Sequence, residues 1–172
     1  MRPSHQRRRG FTLVELGLVL LLLGAATFFI TRHLRERRLT RECRERLWKI
    51  YNALEMYEID RGSLPHLSFF PDDPKQDPAS LPVVLQPYIN EDSFAVCPSA
   101  PPALREQGLT YVWNVELNGR KLHAPGVSKW MLVEIQALSG SVPPPHEGYY
   151  HILYSDGQVE RSKNPPPDLQ RM

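Results

Sequence analysis

The sequence predicts an α+β protein in which one long N-terminal helix packs on a small antiparallel sheet head. Three observations lead there. An apolar run from Phe11 to Ile30 passes without a helix breaker into a stretch of helical periodicity that ends only at Gly62 and Pro65. The chain carries 17 prolines, and their density across its middle excludes long helices there. After residue 109, β-rich runs alternate with Asn-Gly and Asp-Gly turn signals.

Taken in order, residues 11–30 form the transmembrane half of the helix. Those 20 residues span about 30 Å, enough to cross a bilayer's hydrocarbon core. Gly17, Gly24, Ala25 and Ala26 would let other helices come close. Residues 31–62 form the amphipathic half. Leu39, Cys43, Leu47, Ile50, Leu54 and Tyr57 recur every three or four positions, while Arg38, Arg41, Glu45, Lys49, Asn52 and Glu55 lie mostly opposite. A continuous helix from Phe11 to Arg61 would be roughly 75 Å long.

Residues 63–163 are the globular head. Its first part, His66 to Pro102, is rich in Pro and Asp, with a short helix or turn expected across Leu81–Ile89. Leu109–Leu117 reads as a strand ended by Asn118-Gly119, and Trp130–Ile135 as a second. Tyr149–Ser155, Asp156-Gly157 and Gln158–Arg161 read as a tight hairpin. Strands against an amphipathic helix make an α+β head. The tail, 164–172 with Pro165, Pro166 and Pro167, is expected to be flexible.

Ahead of the apolar run lies a leader, residues 1–10, with Arg2, Arg7, Arg8 and Arg9 and no acidic residue. The junction reads Gly10-Phe11-Thr12-Leu13-Val14-Glu15, placing a carboxylate five residues into an apolar span. Charge inside a span is costly and marks a specific partner. A secretory signal is cut after its apolar core, whereas the small residue here, Gly10, precedes it. The layout resembles the class III signal of type IV pilins and type II secretion pseudopilins. The resemblance implies a pilin-like fold and cleavage after Gly10 by a prepilin peptidase that also methylates the new N-terminus, Phe11. It further implies that Glu15 pairs with the N-terminal amine of a neighbouring subunit. It places the protein in a bacterial inner membrane as a single-pass subunit, leader cytoplasmic and head periplasmic. Charge alone does not orient the span, because Arg32, Arg35, Arg37, Arg38 and Arg41 balance the leader. The competing view is a plain signal anchor with one incidental glutamate near the interface, where its cost is lower. That view explains Glu15 but not the placement of Gly10 and the arginines. The helix end, Tyr57 through Gly62 to Pro65, is similar to that of major pseudopilins.

A second signature lies downstream. His146 and Asp156-Gly157 are separated by nine residues, which resembles the H-X9-DG element of prepilin-type proteins, and Phe94-Ala95-Val96-Cys97-Pro98 and Thr110-Tyr111 through Asn114 fit the same resemblance. Gln158 stands where such proteins often carry a second histidine. The element reads either as a turn held by a side-chain bond or as a metal or catalytic pair, and hairpin geometry favours the turn. Strand alternation is expected to put His151 and Ile152 on opposite faces.

Cys43 and Cys97 could pair in an oxidising compartment, although spacing alone does not bring them within reach and a lone buried helical cysteine is ordinary packing, the preferred reading. Asp72, Asp73, Asp77, Glu91 and Asp92 could supply calcium ligands, but they lack EF-hand spacing and read better as a solvated acidic loop. No cofactor is expected beyond that calcium alternative. No GxSxG, HExxH, phosphate loop or CxxC pair occurs, so no enzyme is indicated. The net charge of +2 gives no global argument for nucleic acid. The expected function is a structural subunit of a pseudopilus or pilus-like filament, with prepilin peptidase, the membrane and other subunits as partners. The alternatives are a DNA-uptake or adhesion pilin and a membrane-anchored periplasmic enzyme using His146 and Asp156.

Overall fold

A computed structural model describes residues 12–123, 125–126 and 128–169. Helix α1 runs unbroken over Leu13–Arg61, 49 residues, and ends where the Gly62 N–H reaches back to the Glu58 carbonyl at 2.7 Å. The chain divides into two compact units, one reaching Arg37 and one beginning at Arg38. The division falls within the amphipathic half expected from the sequence.

In the first unit α1 is exposed throughout its apolar stretch, from Leu13 to Leu34. It is the one helix, among the described residues, long and apolar enough to cross a membrane. Thr27 and Thr31 donate their hydroxyls back to the carbonyls of Leu23 and Thr27, so neither leaves an unpaired donor on the apolar surface. A Cβ built on Gly17 or Gly24 would meet nothing within 4 Å.

In the second unit the periodic face of α1 is buried: Cys43, Leu47, Ile50, Tyr51, Ala53 and Leu54. It packs on one face of a four-stranded antiparallel sheet in the order β1-β2-β3-β4, with β1 Tyr111–Trp113, β2 Trp130–Glu134, β3 Tyr150–Tyr154 and β4 Val159–Ser162. Alternation along the strands sends Tyr111, Trp113, Leu132 and Leu153 to the helix side and Val112, Val133, Tyr150 and Ile152 to the other. Both faces are therefore covered, the second by a smaller cluster that includes Phe69, Phe70, Ala137 and Leu169.

Two short helices complete the head: α2 Leu81–Leu85, continued by a 3-10 turn at Gln86–Tyr88 as expected, and α3 Pro102–Glu106, which the proline density concealed. Two further expectations need correction. The first strand stops at Trp113, because Asn114 caps a 3-10 turn over Val115–Leu117, its Oδ1 accepting the Glu116 N–H at 3.0 Å. Within the tail, Leu169 is 2% exposed in the second cluster, and its N–H reaches the Pro166 carbonyl. Cys43 and Cys97 do pair, with Cα atoms 5.1 Å apart. The bond ties α1 to the loop before α3 and closes a span of 54 residues. A loop of that length corresponds to about 4 kcal/mol of removed unfolded-state entropy.

Candidate functional site

Two places bear on function, and they lie at opposite ends of the sequence. The cleavage pair Gly10 and Phe11 lies outside the described residues. Immediately after them, Thr12 and Glu15 form a reciprocal capping box. The Glu15 carboxylate accepts from the Thr12 N–H at 2.8 Å and from its hydroxyl at 3.0 Å, and the Thr12 hydroxyl accepts the Glu15 N–H at 3.2 Å. The Thr-x-x-Glu spacing could have revealed this from sequence. It gives the glutamate a local role at the positive end of the helix.

Farther along α1, within the second unit, Trp48, Met56 and Ile59 are exposed at 58%, 52% and 82%. Their spacing of eight and three places them along one side of the helix, away from the buried stripe. Beside them Lys49 Nζ meets Glu91 Oε2 at 2.5 Å. The hydrogen bond from Lys49 lowers the Glu91 carboxyl below its usual range, against a smaller effect of burial.

The second place is a buried polar cluster under the sheet. Glu134, last residue of β2, points to the helix side, and neither it nor His146 exposes its side chain. His146 Nε2 lies 3.2 Å from Glu134 Oε1 and 3.4 Å from Cys97 Sγ. On the neighbouring strand the His151 N–H donates to Glu134 Oε2 at 2.8 Å, and His151 Nδ1 lies 3.4 Å from Glu134 Oε1. The two imidazole rings sit 4.3 Å apart. Tyr111 Oη is 3.4 Å from Cys43 Sγ. Burial acts to raise the Glu134 carboxyl, but the His146 and His151 imidazoles beside it outweigh that and hold it below the usual range. Burial also pushes the Tyr111 phenol well up. His146 is presented by a tight turn in which it and Tyr149 exchange backbone hydrogen bonds, with Glu147 at φ 53° between them. A non-glycine residue there stores modest strain.

His146 and Asp156-Gly157 thus do separate jobs. The Asp156 carboxylate accepts the Gln158 N–H at 3.0 Å inside the β3–β4 turn, and Gly157 adopts φ +80° where a Cβ would stand 2.9 Å from the Tyr51 ring of α1. The partner that sequence reasoning missed for His146 is Glu134. A glutamate ending an apolar run, Trp-Met-Leu-Val-Glu, was the available signal, since charge at a buried strand end requires pairing. His151 and Ile152 do face opposite ways.

The five acidic residues considered for calcium do not gather into a donor group. Asp73 and Asp77 accept the backbone N–H groups of Lys75 and Ala79 within their own turns, and Glu91 is held by Lys49. Compared with known protein families, curated proteins and solved structures, the chain matches none.

Proposed function

We propose that this chain is a structural subunit of a type II secretion pseudopilus or related pilus-like filament, anchored in a bacterial inner membrane with its head periplasmic. A prepilin peptidase would cut after Gly10 and methylate Phe11. The observation that carries the reading is that no residue in the apolar half of α1 is buried within the chain, yet that half begins with a carboxylate. An apolar helix of that length needs lipid or other helices around it. In the membrane, lipid covers it. In a filament, neighbouring helices do, approaching closely at Gly17 and Gly24. Glu15 would exchange its contact with Thr12 for the amine of an adjacent Phe11, so that two costly charges neutralise each other only in the assembly.

The capping box supplies a rival, purely local reason for Glu15, and one substitution separates the two. Glutamine serves a capping box as glutamate does but carries no charge. Expressed with its prepilin peptidase, the wild-type chain should yield a mass starting at N-methylated Phe11 and cross-linked multimers. Glu15→Gln should be inserted and cleaved yet fail to multimerise. An intact Met1, or a cut beyond Ile30, would overturn the subunit reading. Normal assembly of Glu15→Gln would remove the charge-pairing step.

A further inference from the structure

The buried cluster holds more donor chemistry than a disulfide needs. One donor atom from each of Cys43, Cys97, Glu134 and His146 lies within 4.8 Å of the others, and all four residues are buried. Two thiolates, an imidazole and a carboxylate make a four-donor set suited to zinc. In a tetrahedral zinc site with bonds of about 2.0–2.3 Å, the nitrogen–oxygen edge is about 3.3 Å and the sulfur–nitrogen edge about 3.6 Å. The corresponding separations are 3.2 Å for His146 Nε2 to Glu134 Oε1 and 3.4 Å for His146 Nε2 to Cys97 Sγ. Once the sulfur–sulfur bond is broken, the two sulfurs would move apart to about 3.7 Å in such a site. The surroundings already orient the donors. Glu134 is fixed through its other oxygen by the His151 N–H, and the Tyr111 hydroxyl is placed to donate to a Cys43 thiolate.

We propose that the dithiol form of this chain binds one zinc-class divalent cation through Cys43, Cys97, Glu134 and His146. Disulfide and metal are then alternative closures of the same site. The newly made chain carries both thiols, so loading requires no reductant. Each thiol gives up a proton, two thiolates bind the cation, and two protons leave. Thiol–disulfide exchange with an external disulfide, which takes up the two electrons and two protons and leaves as two thiols, instead joins the sulfurs and excludes the cation. Either closure fastens α1 and the Cys97 loop together, and the metal adds β2 and the turn before β3 to the same point. The sulfur pair alone would give a two-ligand site, so Glu134 and His146 are what distinguish this cluster from an ordinary disulfide.

The test uses the full chain in detergent micelles. A phosphine converts the disulfide to two thiols, consuming one water and leaving the phosphine oxide, and cobalt(II) then serves as a coloured substitute for zinc. One cobalt per chain should bind with the visible bands of tetrahedral geometry and a thiolate charge-transfer band, both erased when zinc is added. The disulfide form should bind none. Glu134→Gln and His146→Gln should each weaken binding by about tenfold or more. If those variants misfold, X-ray absorption at the zinc edge of the reduced wild type decides: two sulfurs with two nitrogen or oxygen neighbours are expected. The proposal falls if the reduced chain shows no tetrahedral cobalt spectrum, if folded Glu134→Gln and His146→Gln bind as wild type does, or if the zinc shell lacks either sulfur or light-atom ligands.

Discussion

Gly157 offers a sharp test of how the second signature works, because a matched control exists in the same chain. Gly157 and Gly62 share a left-handed backbone, φ +80° and +83°. A side chain at either position costs about 1–2 kcal/mol for the conformation alone. They differ in what the new Cβ would meet. At Gly62 nothing lies within 4 Å, whereas at Gly157 the Tyr51 ring stands at 2.9 Å and 3.0 Å. Tyr51 is 6% exposed on the buried face of α1, so it has little room to withdraw. Forcing a methyl against it adds about 1–3 kcal/mol of overpacking. Gly62→Ala should therefore cost about 1–2 kcal/mol, and Gly157→Ala about 2–5 kcal/mol. Denaturant unfolding in mild detergent, followed by the fluorescence of buried Trp113 and Trp130, would measure both at constant slope. In a Tyr51→Leu background the excess at Gly157 should vanish, leaving a cost like that of Gly62→Ala. Equal costs for the two glycines in the wild type, or an excess that survives loss of the ring, would refute the close-approach argument.

Three other substitutions probe different links. Asn118 accepts from the Leu67 N–H and the Trp113 indole and donates to the Leu67 carbonyl, so Asn118→Ala should lower stability by about 2–4 kcal/mol in the same unfolding assay. Asn118→Asp, which keeps the acceptor, should cost less. Glu91 should titrate below the ordinary glutamate value near 4.5 by carboxyl-carbon NMR and move up in Lys49→Ala. Because its folded pKa is lowered, its small stabilising contribution is complete above that ordinary value and is lost as pH falls through the folded one. Trp48→Ala should change stability by no more than about 0.5 kcal/mol, since the ring is 58% exposed, yet reduce cross-linked multimers. Multimer yield equal to wild type would show that Trp48 has no part in the proposed assembly.

The sequence disclosed what is periodic. Cys43, Leu47, Ile50 and Leu54 are buried where the three-and-four spacing put them, and the β3–β4 hairpin turns at Asp156-Gly157. It concealed what depends on distant partners. Nothing near Cys43 announces Cys97, because their approach depends on how 54 residues of proline-rich chain fold back. His146 and Asp156 looked like a pair through linear spacing, yet the chain between them turns into β3 and delivers His146 to Glu134, twelve residues upstream. The tail illustrates a related point: three prolines signal irregular backbone, but irregular backbone still packs when a residue such as Leu169 finds an apolar face. Glu15 is the reverse case, where attention to a distant role hid a partner three residues away.

The strand order has a consequence for self-association. A four-stranded meander leaves two rims at which another chain could add a strand. The first is blunted, since β1 is only three residues long and its Trp113 N–H is already taken by the Phe69 carbonyl. The second, β4, carries exposed Glu160 and Arg161 in its centre, and Ser162 bonds to both the carbonyl and the N–H of Asn164 where the strand ends. Short length, charge and a bent end are devices that discourage edge-to-edge growth. A head built this way can be crowded against many copies of itself without its sheets fusing, which leaves the order of any assembly to be dictated by helices.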